Sequence, residues 1–76
     1  MSDRLPTVSG KQMIRVLETC GWYVRRVRGS HYILRHPEMP DALVVPVHGN
    51  REIKRGTLLN ILKTAGLSQE DLRRLL

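Results

Sequence analysis

Three histidines, His31, His36 and His48, are the groups of this chain able to take and give protons near neutral pH. His31 is the most pointed, because it follows Gly29-Ser30 and has Arg25, Arg26, Arg28 and Arg35 close to it in sequence. Cleavage of RNA by its own 2′-hydroxyl needs a proton acceptor, a proton donor and a cation for the charged phosphorane. Histidine fills either proton role, while Arg26, Arg28 and Arg35 offer planar forks of donors to phosphoryl oxygens. Gly29 lets the backbone come close to a phosphate, and Ser30 carries a hydroxyl to donate. The bland alternative for His31 is a hydrogen-bonded hairpin residue. His36, before Pro37, reads as a solvated surface imidazole, and His48, beside Gly49, stands between these two cases.

The remaining composition narrows the chemistry. A single cysteine makes no internal disulfide, and without Cys-x-x-Cys or His-Glu-x-x-His no standard zinc site and no cofactor is expected. Cys20 reads as a small core filler. No apolar run reaches the ~20 residues of a membrane span, and Met1-Ser2-Asp3-Arg4 has no secretion-signal character, so a cytoplasmic protein is expected. Thirteen Lys and Arg against seven Asp and Glu give a net charge of +6 on 76 residues. Eight basic and three acidic residues lie between Trp22 and Lys63, including a second group of Arg51, Lys54 and Arg55. Such a surplus attracts polyanions, although a solvated face that merely keeps a small protein in solution has the same composition.

The elements that must position these residues are legible from spacing. Residues 1–8 have no period and read as a frayed lead-in. Ser9-Gly10-Lys11-Gln12 fits a capping box, and Met13, Ile14, Val16, Leu17 and Cys20 follow at helical spacing in a first helix from about Gly10 to Cys20, stopped by Gly21. Trp22–Arg28 suits a strand, Gly29-Ser30 a two-residue hairpin turn, and His31–His36 the return strand. Ala42–His48 is a third strand; its Pro46 cannot donate to a ladder, so it belongs at an edge and the His31 strand in the middle. Leu58, Leu59, Ile61, Leu62 and Ala65 make a second helix ending at Gly66, and Ser68 caps a short tail with Leu72, Leu75 and Leu76 expected inward.

The economical fold is therefore a single α+β domain over residues 1–76. It is a two-layer α-β-β-β-α arrangement, a three-stranded antiparallel sheet with both helices on one face and a short extra C-terminal helix. The other face of the sheet is left in water. If Tyr32, Leu34, Val45 and Val47 face the helices, alternation puts His31, Arg35 and His48 on the open side. Of Trp22 and Tyr23, one must turn inward and the other is free to meet a base.

Gly-Ser-His at 29–31, Val-Pro-Val-His at 45–48 and Lys-Arg-Gly-Thr-Leu-Leu-Asn-Ile-Leu-Lys-Thr-Ala-Gly-Leu-Ser at 54–68 occur in that order. With Ser9-Gly10-Lys11 opening the first helix and Gly21-Trp22 closing it, the chain resembles the HicA family of toxin ribonucleases from about Ser9 to Ser68. The resemblance implies a double-stranded-RNA-binding-domain-like fold and a metal-independent mRNA endonuclease, neutralised by a HicB-type antitoxin. It puts the catalytic histidine on His31. Gly10 and Lys11 match the family's Gly-Lys, and Gly56-Thr57-Leu58 matches the start of its second helix, preceded here by Lys54 and Arg55. His48 matches a frequent family position to which no catalytic role attaches. Trp22 replaces the usual Phe, a change of packing only.

The expected RNA-binding set is thus Gly10, Lys11, Arg26, Arg28, Gly29, Ser30, Arg35, His48, Lys54, Arg55, Gly56 and Thr57, around a catalytic His31. The expected partners are mRNA and the antitoxin, with a monomer when free. Two other readings stand beside it: a non-catalytic RNA-binding module using the same basic sheet, and an interaction protein whose charge recruits an acidic partner. The tail after Ala65-Gly66-Leu67-Ser68 has helix-turn-helix spacing, but Arg73 and Arg74 are too few cations for a DNA-reading helix.

Overall fold

A computed structural model describes residues 5–76. The element order is α1 (Gly10–Thr19), β1 (Tyr23–Arg28), β2 (His31–Arg35), β3 (Leu43–Pro46), α2 (Arg55–Ala65) and α3 (Gln69–Leu75), the α-β-β-β-α order with an added helix. Ser9 starts α1 by the anticipated reciprocal pair: its Oγ accepts the Gln12 N–H at 3.2 Å, and Gln12 Oε1 accepts the Ser9 N–H at 2.9 Å. Gly66 closes α2, and a second capping box between Ser68 and Asp71 opens α3.

The strands form one antiparallel sheet in the order β1-β2-β3, so β2 is central. Val47 donates its N–H to the Ser30 carbonyl at 2.7 Å. Alternation then turns the nitrogen of Pro46 away from β2, where a proline removes no ladder bond. β3 is shorter than the Ala42–His48 expected from sequence.

Both helices cover one face. Leu34, Leu43 and Val45 from the sheet meet Met13, Val16 and Leu17 of α1 and Leu58, Ile61, Leu62 and Ala65 of α2, with Trp22 beside them. Tyr32 and Val47 are half-buried against this core, as the alternation of β2 and β3 requires. Among the described residues no helix is long and apolar enough to cross a membrane.

Two expectations are corrected. Val8, assigned to a frayed lead-in, is 1% exposed; its carbonyl accepts the Ile53 N–H at 2.8 Å, and Ser9 bridges Glu52. A single apolar residue tied to a distant segment leaves no periodic trace in sequence. Residues 1–4 of that lead-in lie outside the described residues. Leu75 and Leu76, expected inward, are 42% and 52% exposed, because α3 is so short that Leu72 alone reaches the core.

Candidate functional site

The facing of β1 decides which arginines join His31. Tyr23 pairs with Arg35 and Val24 with Leu34, but Arg26 pairs with Ile33, Val27 with Tyr32 and Arg28 with His31. Arg25 has no partner: it is the extra residue of a β-bulge. Strict alternation from Tyr23 would have sent Arg26 and Arg28 toward the helices. The bulge restores them to the open face and puts Val27 on the helix side, where it stays 49% exposed. On β3, Val44 lies opposite Ile33 and Pro46 opposite His31. The open face therefore has three rows: Tyr23 and Arg35; Arg26, Ile33 and Val44; Arg28, His31 and Pro46.

His31 is exposed at the start of β2, directly after the turn at Gly29-Ser30, where Gly29 has the positive φ of +57° expected there. Its ring has no hydrogen-bond or ion partner among the described residues, so the hairpin-residue alternative has no contact to support it. Arg26 and Arg28 are exposed and Arg35 is half-buried. Among the described residues, ion pairing is confined to the two arginines of α3, Arg73 with Glu70 and Arg74 with Asp71. The cations of the sheet thus meet no carboxylate there, and their charge is free for a ligand.

A groove of about 620 Å³ runs from His31 and Pro46 along the β3 side of the sheet to α2. It brings together four of the residues singled out from sequence: His31, His48, Lys54 and Thr57. Arg51, from the second basic group, also lines it, as do Asn60 and Thr64, which were not among the residues singled out. Their signal is nevertheless in the sequence, since Thr57, Asn60 and Thr64 recur at helical spacing beside the leucine face of α2. Lys54 precedes α2 without any side-chain cap, and no acidic residue occupies the first turn, so the N–H groups at Arg55, Gly56 and Thr57 have no side-chain acceptor within the helix start, beside the groove that Lys54 and Thr57 line.

The start of α1 is different. Gly10 is buried, and a Cβ there would collide with the Pro46 carbonyl oxygen and lie 2.8 Å from Val47 Cγ2. Glycine at this position permits helix and strand to touch, leaving no room for a phosphate on that side. Lys11 is exposed but belongs to a separate, smaller groove with Gln12, Arg15 and Asn50.

His36 is no solvated imidazole. Its Nε2 is 3.0 Å from the Cys20 carbonyl oxygen, its Nδ1 accepts the Glu38 N–H at 3.0 Å, and its ring lies edge-on to Trp22 with centroids 5.3 Å apart. With Nδ1 accepting from Glu38, Nε2 is the side of the ring that donates to the Cys20 carbonyl. His36 therefore ties the end of β2 to the end of α1 on the helix side, and its sequence position before Pro37 gave no hint of it. Among the described residues, no three His, Cys, Asp or Glu side chains converge as metal ligands would.

Residues 10–67 match the family model described as the HicA toxin of bacterial toxin-antitoxin systems. Comparison with curated proteins gives no match.

Proposed function

The chain belongs to the HicA toxin family of bacterial toxin–antitoxin systems, and from that premise we propose that it is a metal-independent endoribonuclease cleaving mRNA through His31. The observation that carries this reading is the exposed, unpartnered His31 ring on the open sheet face, opposite Arg28 and at the mouth of the groove.

The chemistry asks little more of the protein. His31 accepts the proton of the substrate's 2′-hydroxyl as its oxygen attacks the adjacent phosphorus, and the P–O5′ bond breaks. A proton must then reach the departing 5′-oxygen, from His31 itself or from His48, which lines the same groove. Arg28 and its unpaired neighbours stabilise the extra negative charge on the phosphorane. The balance of bonds leaves a 2′,3′-cyclic phosphate and a 5′-hydroxyl. Arg26, Arg35, Lys54, Arg55 and the uncapped first turn of α2 hold flanking phosphates, and Gly29 and Ser30 keep the backbone low beside the reacting one.

A HicB-type antitoxin covers this same face with complementary charge, and the free toxin acts in the cytoplasm as a monomer. Incubating the protein with a long transcript in the presence of chelator, then mapping the ends, tests the reading. Cyclic phosphate ends made by the parent and absent from folded His31→Ala are expected. Undiminished cleavage by folded His31→Ala would remove His31 from its role, and RNA binding without any product would leave a non-catalytic RNA-binding module.

A further inference from the structure

The chain has three aromatic side chains, Trp22, Tyr23 and Tyr32, and no phenylalanine. Trp22 is buried and Tyr32 packs against the core, but Tyr23 is 48% exposed. Its neighbours Trp22 and Val24 turn toward the helices, so Tyr23 stands on the open face in the same row as Arg35. Cross-strand partners of this kind hold their Cβ atoms about 5 Å apart. An apolar ring and a guanidinium without a carboxylate are thus side by side, on the face that carries His31.

The relation to His31 is set by β2. Four residue steps along the strand take His31 to Arg35, about 13 Å. That distance is one an extended nucleic-acid strand covers in a few nucleotides. The row between them holds Arg26 with Ile33 and Val44, a cation beside an apolar surface. The face is therefore cationic along its length, and its one exposed aromatic ring lies at the end away from the imidazole.

We propose that Tyr23, with Arg35 opposite, is a base-stacking subsite that holds an unpaired nucleotide of single-stranded RNA at the end of the sheet remote from His31. Stacking needs a base whose face is free, which a nucleotide inside a duplex does not offer. Arg35 takes the adjoining phosphate, and Arg26 and Arg28 carry the strand toward the imidazole. This extends the ribonuclease reading by adding a subsite that recognises an unpaired base of the RNA, and it rests on that reading only for what happens at His31.

Binding and cleavage are therefore measured separately. In the full chain carrying His31→Ala, fluorescence anisotropy reports affinity for a fluorescein-labelled oligoadenylate and for an RNA duplex. Adding Tyr23→Ala is expected to weaken binding to the single strand by about five- to a hundredfold. Duplex binding stays as it was, and Tyr23→Phe restores single-strand affinity to within about twofold. A folded Tyr23→Ala protein that binds the single strand as tightly as its parent overturns the proposal. So does an equal loss for single strand and duplex. Absence of product with the unsubstituted chain, alongside the predicted binding differences, would instead defeat the ribonuclease reading and leave the subsite standing.

Discussion

Arg28 lies directly across from His31 on the last rung of the β1–β2 ladder, and the unpaired Arg25 is what brings it there. One extra residue in β1 reverses the facing of everything after it. The arginines that follow the bulge share a surface with the imidazole, and Val27, half exposed, takes the helix-side place one of them would have had.

Arg28 is accordingly the cation best placed to meet the phosphorane. Arg28→Ala is expected to lower kcat for RNA cleavage by about 10²–10³-fold, the usual cost of removing one charge-stabilising donor. RNA affinity falls evenly across sequences, with the salt slope reduced by about one. Single-turnover rates and binding measured over a salt series check both effects. A change in affinity with an unaltered rate would make Arg28 a phosphate anchor alone.

The bulge itself can be tested by deletion. Removing Arg25 leaves Tyr23, Val24, Arg26, Val27 and Arg28 in plain alternation with their present partners and facing. Stability is expected to stay within about 1 kcal/mol of the parent, with cleavage retained. Removing Val27 also shortens β1 by one residue, but any re-registered ladder then turns one arginine toward the helices. That protein is expected to lose both stability and cleavage, as urea unfolding and transcript digestion would show.

The same bulge marks how far the sequence could be read. On β2 and β3 plain alternation identifies the inward Leu34 and Val45 and the open His31, because one apolar face leaves a single sensible register. On β1, where arginine and valine do not strictly alternate, no such rule assigns Arg26 and Arg28 to a face. His36 was illegible for a related reason. Its partners are a backbone carbonyl and a backbone N–H, and neither has a residue type to recognise. Asn60 and Thr64 were readable as a polar stripe, but a stripe beside a leucine face is also what any surface helix displays.

Gly21 and Gly66 offer a matched comparison. Both have positive φ, +97° and +72°, but a Cβ at Gly21 would lie 2.7 Å from His36 Nε2, whereas nothing lies within 4 Å of one at Gly66. Gly66→Ala is expected to cost about 1 kcal/mol for its backbone conformation alone. Gly21→Ala adds displacement of the His36 ring and reaches about 3 kcal/mol or more. Urea midpoints at unchanged slope measure the difference. Equal losses would mean that the imidazole moves aside freely and does not fasten β2 to α1.

Acid should loosen the molecule first at α3. The Asp71 carboxyl is held below its ordinary value of 3.8 by the backbone N–H of Ser68, then by the Arg74 guanidinium and the Ser68 hydroxyl. A carboxyl with a lower value in the folded chain than in the unfolded one adds stability that is fully present above 3.8. That contribution drains away as the pH falls through the lower, folded value, since protonation removes the charge that Ser68 and Arg74 bind. Protection of the Leu72, Arg73 and Arg74 amides, taken as exchange relative to an unstructured chain at the same pH, should therefore fall in acid before protection in α1 or the sheet. In Asp71→Asn the same amides should be less protected already at neutral pH and lose little more on acidification. A uniform loss of protection across all elements would assign the acid response to another carboxyl.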